Sequence, residues 1–418
     1  MRVKRLQLTD FRNYRELDLT LPGGLIIFSG RNAQGKSNLL EAISLIATTR
    51  SFRTASDREA VRWDAAGRFA RVTGEVVRRH DRLEIEVILA ESVDAPEVAA
   101  ADPGAAHVSP TFRKRVRVNG APRRAMDLVG LAPVVVFAPT DLDLVTGGPS
   151  ARRRLLDLTL CQTNRQYCRT LSQYQKVIAQ RGALLRRIRD RLESTSSLDY
   201  WDDQLTLLAL PLMRERAAFL ARATEVAARF YASLSSADAE PEEPDEDIPE
   251  AAEAPHAPAL RLVYAPSYQG PLTGDEEADR RAMRAALEAV RRREVAQGAN
   301  VLGPHRDDVA FFDGAIDLAT YGSRGQQRSV ALALKLAELE YIEQATGEQP
   351  VLLLDDVLSE LDAPRRADLL LAVRDLDQTF VTTADLNVAP GDALARATLY
   401  AVRAGRVILQ KPANVAHS

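Results

Sequence analysis

Cysteine is nearly absent from this chain. Only Cys161 and Cys168 occur in 418 residues, with no CxxC pair and no histidine beside them. That excludes a disulfide framework and a zinc site and suits a reducing compartment. Their spacing of seven predicts two small core side chains on one helix face. Long apolar runs are absent too: none reaches the roughly 18 to 20 residues of a membrane helix. The opening MRVKRLQLTDF lacks the apolar core of a secretory signal, so a cytoplasmic protein without a membrane partner is expected. A strong net charge is also missing. At −3 there is no global positive field, and any nucleic-acid contact must come from local patches. Aromatic residues make up only 6% and do not interleave with basic ones, which favours backbone tracking of a duplex over base stacking. What remains is 46% apolar and 27% charged, the composition of a globular protein long enough for about two or three domains.

The pattern of the chain predicts how those domains are built. Two short alternating strands open it, and LIIFSG (25–30) is a buried strand entering a glycine-containing loop. SNLLEAISLIATT then repeats apolar residues at helical spacing. Residues 68–90 and 113–119 read as further strands, and APVVVFAP (132–139) as another buried one. From Ser150 to residue 234 the chain is rich in Leu, Ala, Arg and Gln, which predicts a long helical hairpin broken near SLDYWDD and again at Pro211. Residues 238–255, DAEPEEPDEDIPEAAEAP, carry no Lys or Arg and cannot bury a core. Without them the rest of the chain is net positive. A charged amphipathic helix ending at Gly298 follows, and α/β alternation then returns. The expectation is an α/β nucleotide-binding head made from both chain ends, 1–145 and 298–418. A helical lever at 146–297 is inserted between them, itself interrupted by a disordered acidic insertion at 235–258.

Three motifs carry chemistry. Gly30, Arg31, Asn32, Ala33, Gln34, Gly35, Lys36 and Ser37 form GxxxxGK[ST] between a strand and a helix. Glycines at the two ends let the backbone aim N–H groups at phosphate oxygens, and the helix start adds positive charge. Lys36 is the candidate to neutralise β- and γ-phosphate charge and Ser37 to ligate Mg²⁺. VLLLDDVLSELD (351–362) delivers Asp355 at the end of a buried strand as a second Mg²⁺ holder. Asp356, pointing differently, is the candidate to polarise an attacking water. YGSRGQQR places Ser323, Gly325 and Gln326 before another helix, a second anion site by the same physics. A plain helix cap is the competing reading there.

Together the Walker A loop, the SxGQ signature and the Walker B strand running into SELD resemble the ABC ATPases of the SMC and DNA-repair branch. In that branch one subunit's signature loop closes on the other's nucleotide, SELD (359–362) is the D-loop, and Thr383 in TTAD falls at the switch loop. Asp356 stands where many members carry Glu, which implies slow hydrolysis. LTDFRNYRELDL, GRNAQGKSNLLEAI, RSFRT, FAPTDLDLVTGGPSARRRLLD, NVLGPHRDDV and YGSRGQQR are similar to motifs of the RecF family of recombination mediators and span almost the whole chain.

That resemblance implies ATP and Mg²⁺ as cofactors and an ATP-dependent homodimer. It also implies action on DNA at gapped or single-strand–duplex junctions with RecR- and RecO-type partners, in repair, replication and the SOS response. A transport-type ABC subunit would lack GPHRDD and the insertion, and an SMC protein would need a far longer coiled coil. An interaction module without DNA contact stays as the alternative. Basic clusters at Arg113–Arg115, Arg152–Arg154, Arg186–Arg189 and Arg291–Arg293 are the candidate phosphate contacts. His305 and Arg306 are candidates for a seam between head and lever.

Overall fold

A computed structural model describes residues 1–54, 56–91, 112–236 and 259–411; the acidic stretch 238–255 and nearly all of the 91–110 loop lie outside them. The chain divides into two compact units, Met1–Pro139 with Ile342–Ser418, and Thr140–Tyr341.

The first unit opens with the hairpin β1 (Arg2–Phe11) and β2 (Tyr14–Thr20), then β3 (Gly24–Ser29) and α1 (Lys36–Thr48). A short α2 (Asp57–Ala60) precedes β4 (Phe69–Val77), β5 (Arg82–Glu91), β6 (Phe112–Val118) and β7 (Ala121–Arg123). α3 (Ala125–Leu128) leads to β8 (Val134–Phe137). One antiparallel sheet has the order β2-β1-β4-β5-β6-β7. Its strands alternate buried and exposed residues, as a one-sided sheet must; β5 reads eBeBiBiBii.

The chain passes through the second unit before completing the first. α4 (Pro149–Thr163), α5 (Arg165–Arg189) and α6 (Leu198–Ser236) pack on one another. β9 (Leu260–Ala265), α7 (Glu276–Gln297), β10 (Asp308–Asp313), β11 (Ile316–Asp317) and α8 (Leu318–Tyr321) follow, then α9 (Arg324–Thr346), whose end is counted with the first unit. β11-β10-β9 form a small sheet within a largely helical segment, where only LRLVYAP reads as a strand in the sequence.

Back in the first unit come β12 (Val351–Asp355), α10 (Ala363–Ala372), β13 (Gln378–Thr383), α11 (Gly391–Arg396), β14 (Thr398–Arg403) and β15 (Arg406–Lys411). Their sheet has the order β15-β14-β3-β13-β12-β8, parallel except for the β14–β15 pair. β12 and β13 are buried at every position; β12 accordingly reads as an apolar run rather than alternation, whereas β13 buries four polar side chains, Gln378, Thr379, Thr382 and Thr383. α1 packs against strands of both sheets and buries Leu39, Leu40, Ile43, Leu45 and Ile46. Each of these contributes about 1.5–3 kcal/mol. Close approach to β4 depends on Gly74, where an added Cβ would sit 2.2 Å from Ile46 Cδ1.

Two expectations are corrected. Pro211 does not break the helix: α6 runs unbroken through it for 39 residues. Pro211 is exposed, as is Leu207 one turn earlier, while Leu205, Ala209, Leu210, Leu212 and Met213 are buried. Water can therefore serve the carbonyl that Pro211 leaves unpaired, and packing carries the helix past it. The break expected near SLDYWDD is there, at 190–197 just before α6, and a further one falls at Asn164, which caps α5. Cys161 and Cys168 consequently sit on different helices, α4 and α5, rather than on one face.

Candidate functional site

The first unit assembles a loop, two strand ends and a helix start. β3 is bonded to β13 with Ser29 opposite Thr383, and β13 to β12 with Thr382 opposite Asp355. The glycine loop leaves β3 at this edge and turns into α1. Gly30 and Gly35 have φ of 152° and 113°, and Ala33 has φ of 63°. At Gly30 a Cβ would lie 2.4 Å from the Val402 carbonyl oxygen; at Gly35 it would lie within 2.8 Å of Asn13 and Tyr14. Both positions thus exclude a side chain. Gly35 is also the N-cap of α1 with no side-chain cap, so the first amides of the helix are left for an anion to cap.

The loop is braced from outside. Asn13 Nδ2 donates to the Gln34 carbonyl at 2.9 Å and Tyr14 Oη to the Gly35 carbonyl at 3.0 Å. The Gln34 side-chain oxygen accepts from the Ala404 amide at 2.7 Å. Arg31, Asn32 and Ala33 are exposed, Ser37 half-buried. Lys36 is 6% exposed, and its ammonium donates to the carbonyls of Gly30 (2.7 Å) and Arg31 (3.1 Å). Burial holds its pKa below the usual lysine value, opposed by Asp356 and Asp355, so the two acids and the loop lysine share one electrostatic environment.

Thr382 organises the acids, a role the sequence reading assigned to nothing. Its hydroxyl donates to Asp355 Oδ1 at 2.9 Å and accepts from the Asp356 amide at 2.9 Å. Asp356 adopts the left-handed conformation, φ 56°, which turns its side chain away from that of Asp355. Burial raises its pKa, countered by the Ser359 hydroxyl donating to Oδ1 at 3.1 Å. Thr383, the residue singled out for the switch position, is also buried, but its hydroxyl is spent locally on the Asp385 carbonyl. Asp362 of SELD caps α10. Buried Glu41 of α1 is a further missed residue: it accepts from Arg12 (2.8 and 2.6 Å) and Ser51 (2.6 Å), which explains the SFR of RSFRT.

The Ser323 segment belongs to the second unit. There α9 begins at Arg324, so Gly325 lies in the first helical turn rather than ahead of it. The Ser323 hydroxyl accepts from the Gln326 amide at 3.1 Å, and Gln326 Oε1 accepts from the Ser323 amide at 2.8 Å. This is a capping box. Ser323 is exposed and its hydroxyl proton is not used by that bond, so cap and anion donor are compatible.

GPHRDD is tied into this same unit by its buried Gly303, Pro304 and Asp307 and half-buried His305 and Asp308, while Arg306 is exposed. Arg216, 1% exposed, donates to the Pro304 carbonyl (2.6 Å) and Asp157 (2.7 Å). Arg152 grips Asp308 at 2.6 and 2.9 Å, and Arg153 donates to the Asp307 carbonyl at 2.7 Å. Tyr174 donates to His305 Nδ1 at 2.7 Å, and Nε2, 3.2 Å from the Asn300 carbonyl, must carry the proton. Burial pushes the His305 pKa down to about 4. In two of the basic clusters one member is taken up by the fold: Arg152 is buried, and Arg291 is held by Asp199, Asp202 and Glu288, whereas Arg154, Arg292 and Arg293 are exposed. On β6, by contrast, Arg113, Arg115 and Arg117 are exposed at alternate positions of one face. No described helix is long and apolar enough to cross a membrane.

Residues 2–398 match the model of the RecF/RecN/SMC N terminal domain. The DNA replication and repair protein RecF of Chloroflexus aurantiacus is 42% identical, over 97% of this chain and 99% of its own length. Its counterpart from Herpetosiphon aurantiacus is 40% identical over 93% and 94%. A solved structure of the recombination mediator protein RecF with ATP in the RecFOR pathway matches with a TM-score of 0.81 and 28% identity, covering 98% of this chain and 97% of that one. An Smc head bound to the C-winged helix domain of ScpA matches at 0.51 with 12% identity, covering 99% and 98%, a likeness of fold alone.

Proposed function

The chain belongs to the RecF family, and on that premise we propose that it is an ATP-binding recombination mediator of the RecFOR pathway. In this reading it acts on DNA at gapped or single-strand–duplex junctions as an ATP-dependent homodimer, with RecR- and RecO-type partners. The observation that carries the nucleotide site is the uncapped start of α1 behind two positions closed to any side chain. Such a cradle fits a phosphate chain and little else. The loop 30–37 would hold the phosphates, with Lys36 exchanging its loop carbonyls for phosphate oxygens. Ser37 and Asp355 would hold Mg²⁺, which supplies charge neutralisation when bound. Among the described residues no group of three or more metal-binding side chains occurs, which suits an ion whose other ligands are phosphates and water.

The exposed Ser323–Gln326 turn is the surface offered to the second copy's γ-phosphate, with Thr383 at the switch position. Asp356 orients the water in a slow hydrolysis that resets the dimer. Residues 1–145 and 298–418 act as the head and 146–297 as the lever. The exposed arginines of β6 are the candidate track for DNA phosphates.

Light scattering with ATP against ADP tests the composite site, using Lys36→Met and Ser323→Arg. ATP is expected to double the mass of wild type only; a wild type that stays monomeric with ATP removes the dimer mechanism. Junction-DNA binding across a salt series, with and without RecR, tests direct contact. Failure to bind without RecR at any salt favours an interaction module instead.

A further inference from the structure

At the opposite end of β3 and β13 from the nucleotide loop, the first unit holds a cavity of about 150 Å³. Leu25, Leu370, Val373 and Leu376 give it apolar walls, and Arg374, Thr379 and Arg396 are its polar lining. Two of those polar groups are orphaned. Thr379 is 2% exposed and its hydroxyl has no partner; the Arg396 Nε is buried and has none either. Neither belongs to the nucleotide chemistry. Among the described residues Arg374 is matched only by Asp375, at 3.7 Å.

Size decides what kind of occupant fits. Small-molecule sites usually enclose about 300–1,000 Å³, whereas a cavity of about 150 Å³ accommodates a benzene ring. One apolar side chain fills it. Water can satisfy Thr379 and Arg396 but gains nothing from four aliphatic walls. The orphaned guanidinium edge and hydroxyl ask for a carboxylate beside that apolar group.

We infer that this cavity is an anchor site for a partner polypeptide that presents one apolar side chain flanked by acidic residues. It lies away from the nucleotide loop, so it is open to a protein whatever the nucleotide state. The inference does not depend on the DNA reading above.

The test is fluorescence anisotropy with the full chain and labelled Asp-Asp-Phe-Asp-Asp, Asp-Asp-Ala-Asp-Asp and Lys-Lys-Phe-Lys-Lys. Binding of the first is expected, weaker by at least roughly ten-fold for the Ala peptide and absent for the lysine peptide. Arg396→Gln, which removes no described contact, is expected to weaken it by roughly ten-fold. Thr379→Val lowers it by a smaller factor, Val373→Phe abolishes it by filling the cavity, and Lys36→Met leaves it unchanged. No saturation by wild type up to about 1 mM, equal binding of the Phe and Ala peptides, or an unaffected Arg396→Gln would each overturn the inference. The first two readouts need only wild type, so a variant that misfolds cannot rescue it.

Discussion

Thr382→Val replaces one buried hydroxyl with a methyl of nearly the same size, so what it changes is hydrogen bonding. The hydroxyl donates to the Asp355 carboxylate and accepts from the Asp356 amide, both at 2.9 Å and with Thr382 fully buried. A hydrogen bond to a charged group is worth about 1.5–3 kcal/mol and a neutral one about 0.5–1.5. The variant should therefore lose about 3 kcal/mol. For a unit of about 200 residues this lowers Tm by roughly 6–12 °C. Function should suffer separately, because Asp355 loses the group that aims it and Asp356 loses the anchor of its left-handed backbone.

The assay is a thermal melt together with binding of a fluorescent ATP analogue, with and without Mg²⁺. Affinity without metal should survive, since loop 30–37 is untouched, and the increment added by Mg²⁺ should disappear. Thr382→Ser keeps the hydroxyl and should retain that increment. Thr383→Val should retain it as well, because among the described residues the Thr383 hydroxyl bonds only to the Asp385 backbone. Mg²⁺-dependent binding by Thr382→Val at the wild-type level, or an equal loss in Thr383→Val, refutes the argument.

Acid should destabilise the second unit through His305. Its folded pKa is about 4, while the unfolded imidazole titrates near 6.5. Its contribution is complete above pH 6.5 and is lost as pH falls towards 4, with a slope of up to about 1.4 kcal/mol per pH unit. In denaturant melts across that range, His305→Asn should flatten the dependence. Pro211→Ala restores a helical N–H to an exposed position of α6 and should stabilise by roughly 1–3 kcal/mol, read as a higher Tm. On the DNA reading, Arg115→Glu should lower the slope of log K against log salt by at least about 1 for every DNA sequence tried; an unchanged slope moves the contact away from β6.

Legibility from sequence followed distance along the chain. LIIFSG and VLLLDD announce buried parallel strands because burial on both faces leaves unbroken apolar runs, and TFVTT reads as a strand through its β-branched residues. GRNAQGKS is legible because its geometry is local. What stayed hidden was made by contacts across the fold. Thr382 is one of two adjacent threonines, and only the β12–β13 register shows which faces Asp355. Arg152 sits in a basic run, yet its carboxylate lies 156 residues away, so sequence could not tell a DNA contact from a core ion pair. LRLVYAP is legible as a strand, but its partner β10 was missed because it is only six residues long and lies between stretches of helical period. Pro211 was misjudged by local propensity, which packing overrode.

The two helix starts at the heart of the proposal differ in kind, and that difference assigns their order of use. α1 begins at a glycine with no side-chain cap, so its amides gain most from an anion and its loop is suited to hold a triphosphate alone. α9 begins in a closed capping box between Ser323 and Gln326. There the Gln326 amide is already served, and what remains is the Ser323 hydroxyl proton, two first-turn amides and the residual helix dipole, each worth about 1 kcal/mol or less when exposed. Such a turn is too weak to recruit a nucleotide from solution. It becomes useful only when the phosphate is delivered already bound on another surface, as a second copy would deliver it. The uncapped helix is therefore the receptor and the capped one the sensor. Swapping their caps gives the sharpest test of this assignment. Ser323→Gly should leave single-copy ATP affinity unchanged while weakening dimerisation, and the opposite pattern would reverse the roles.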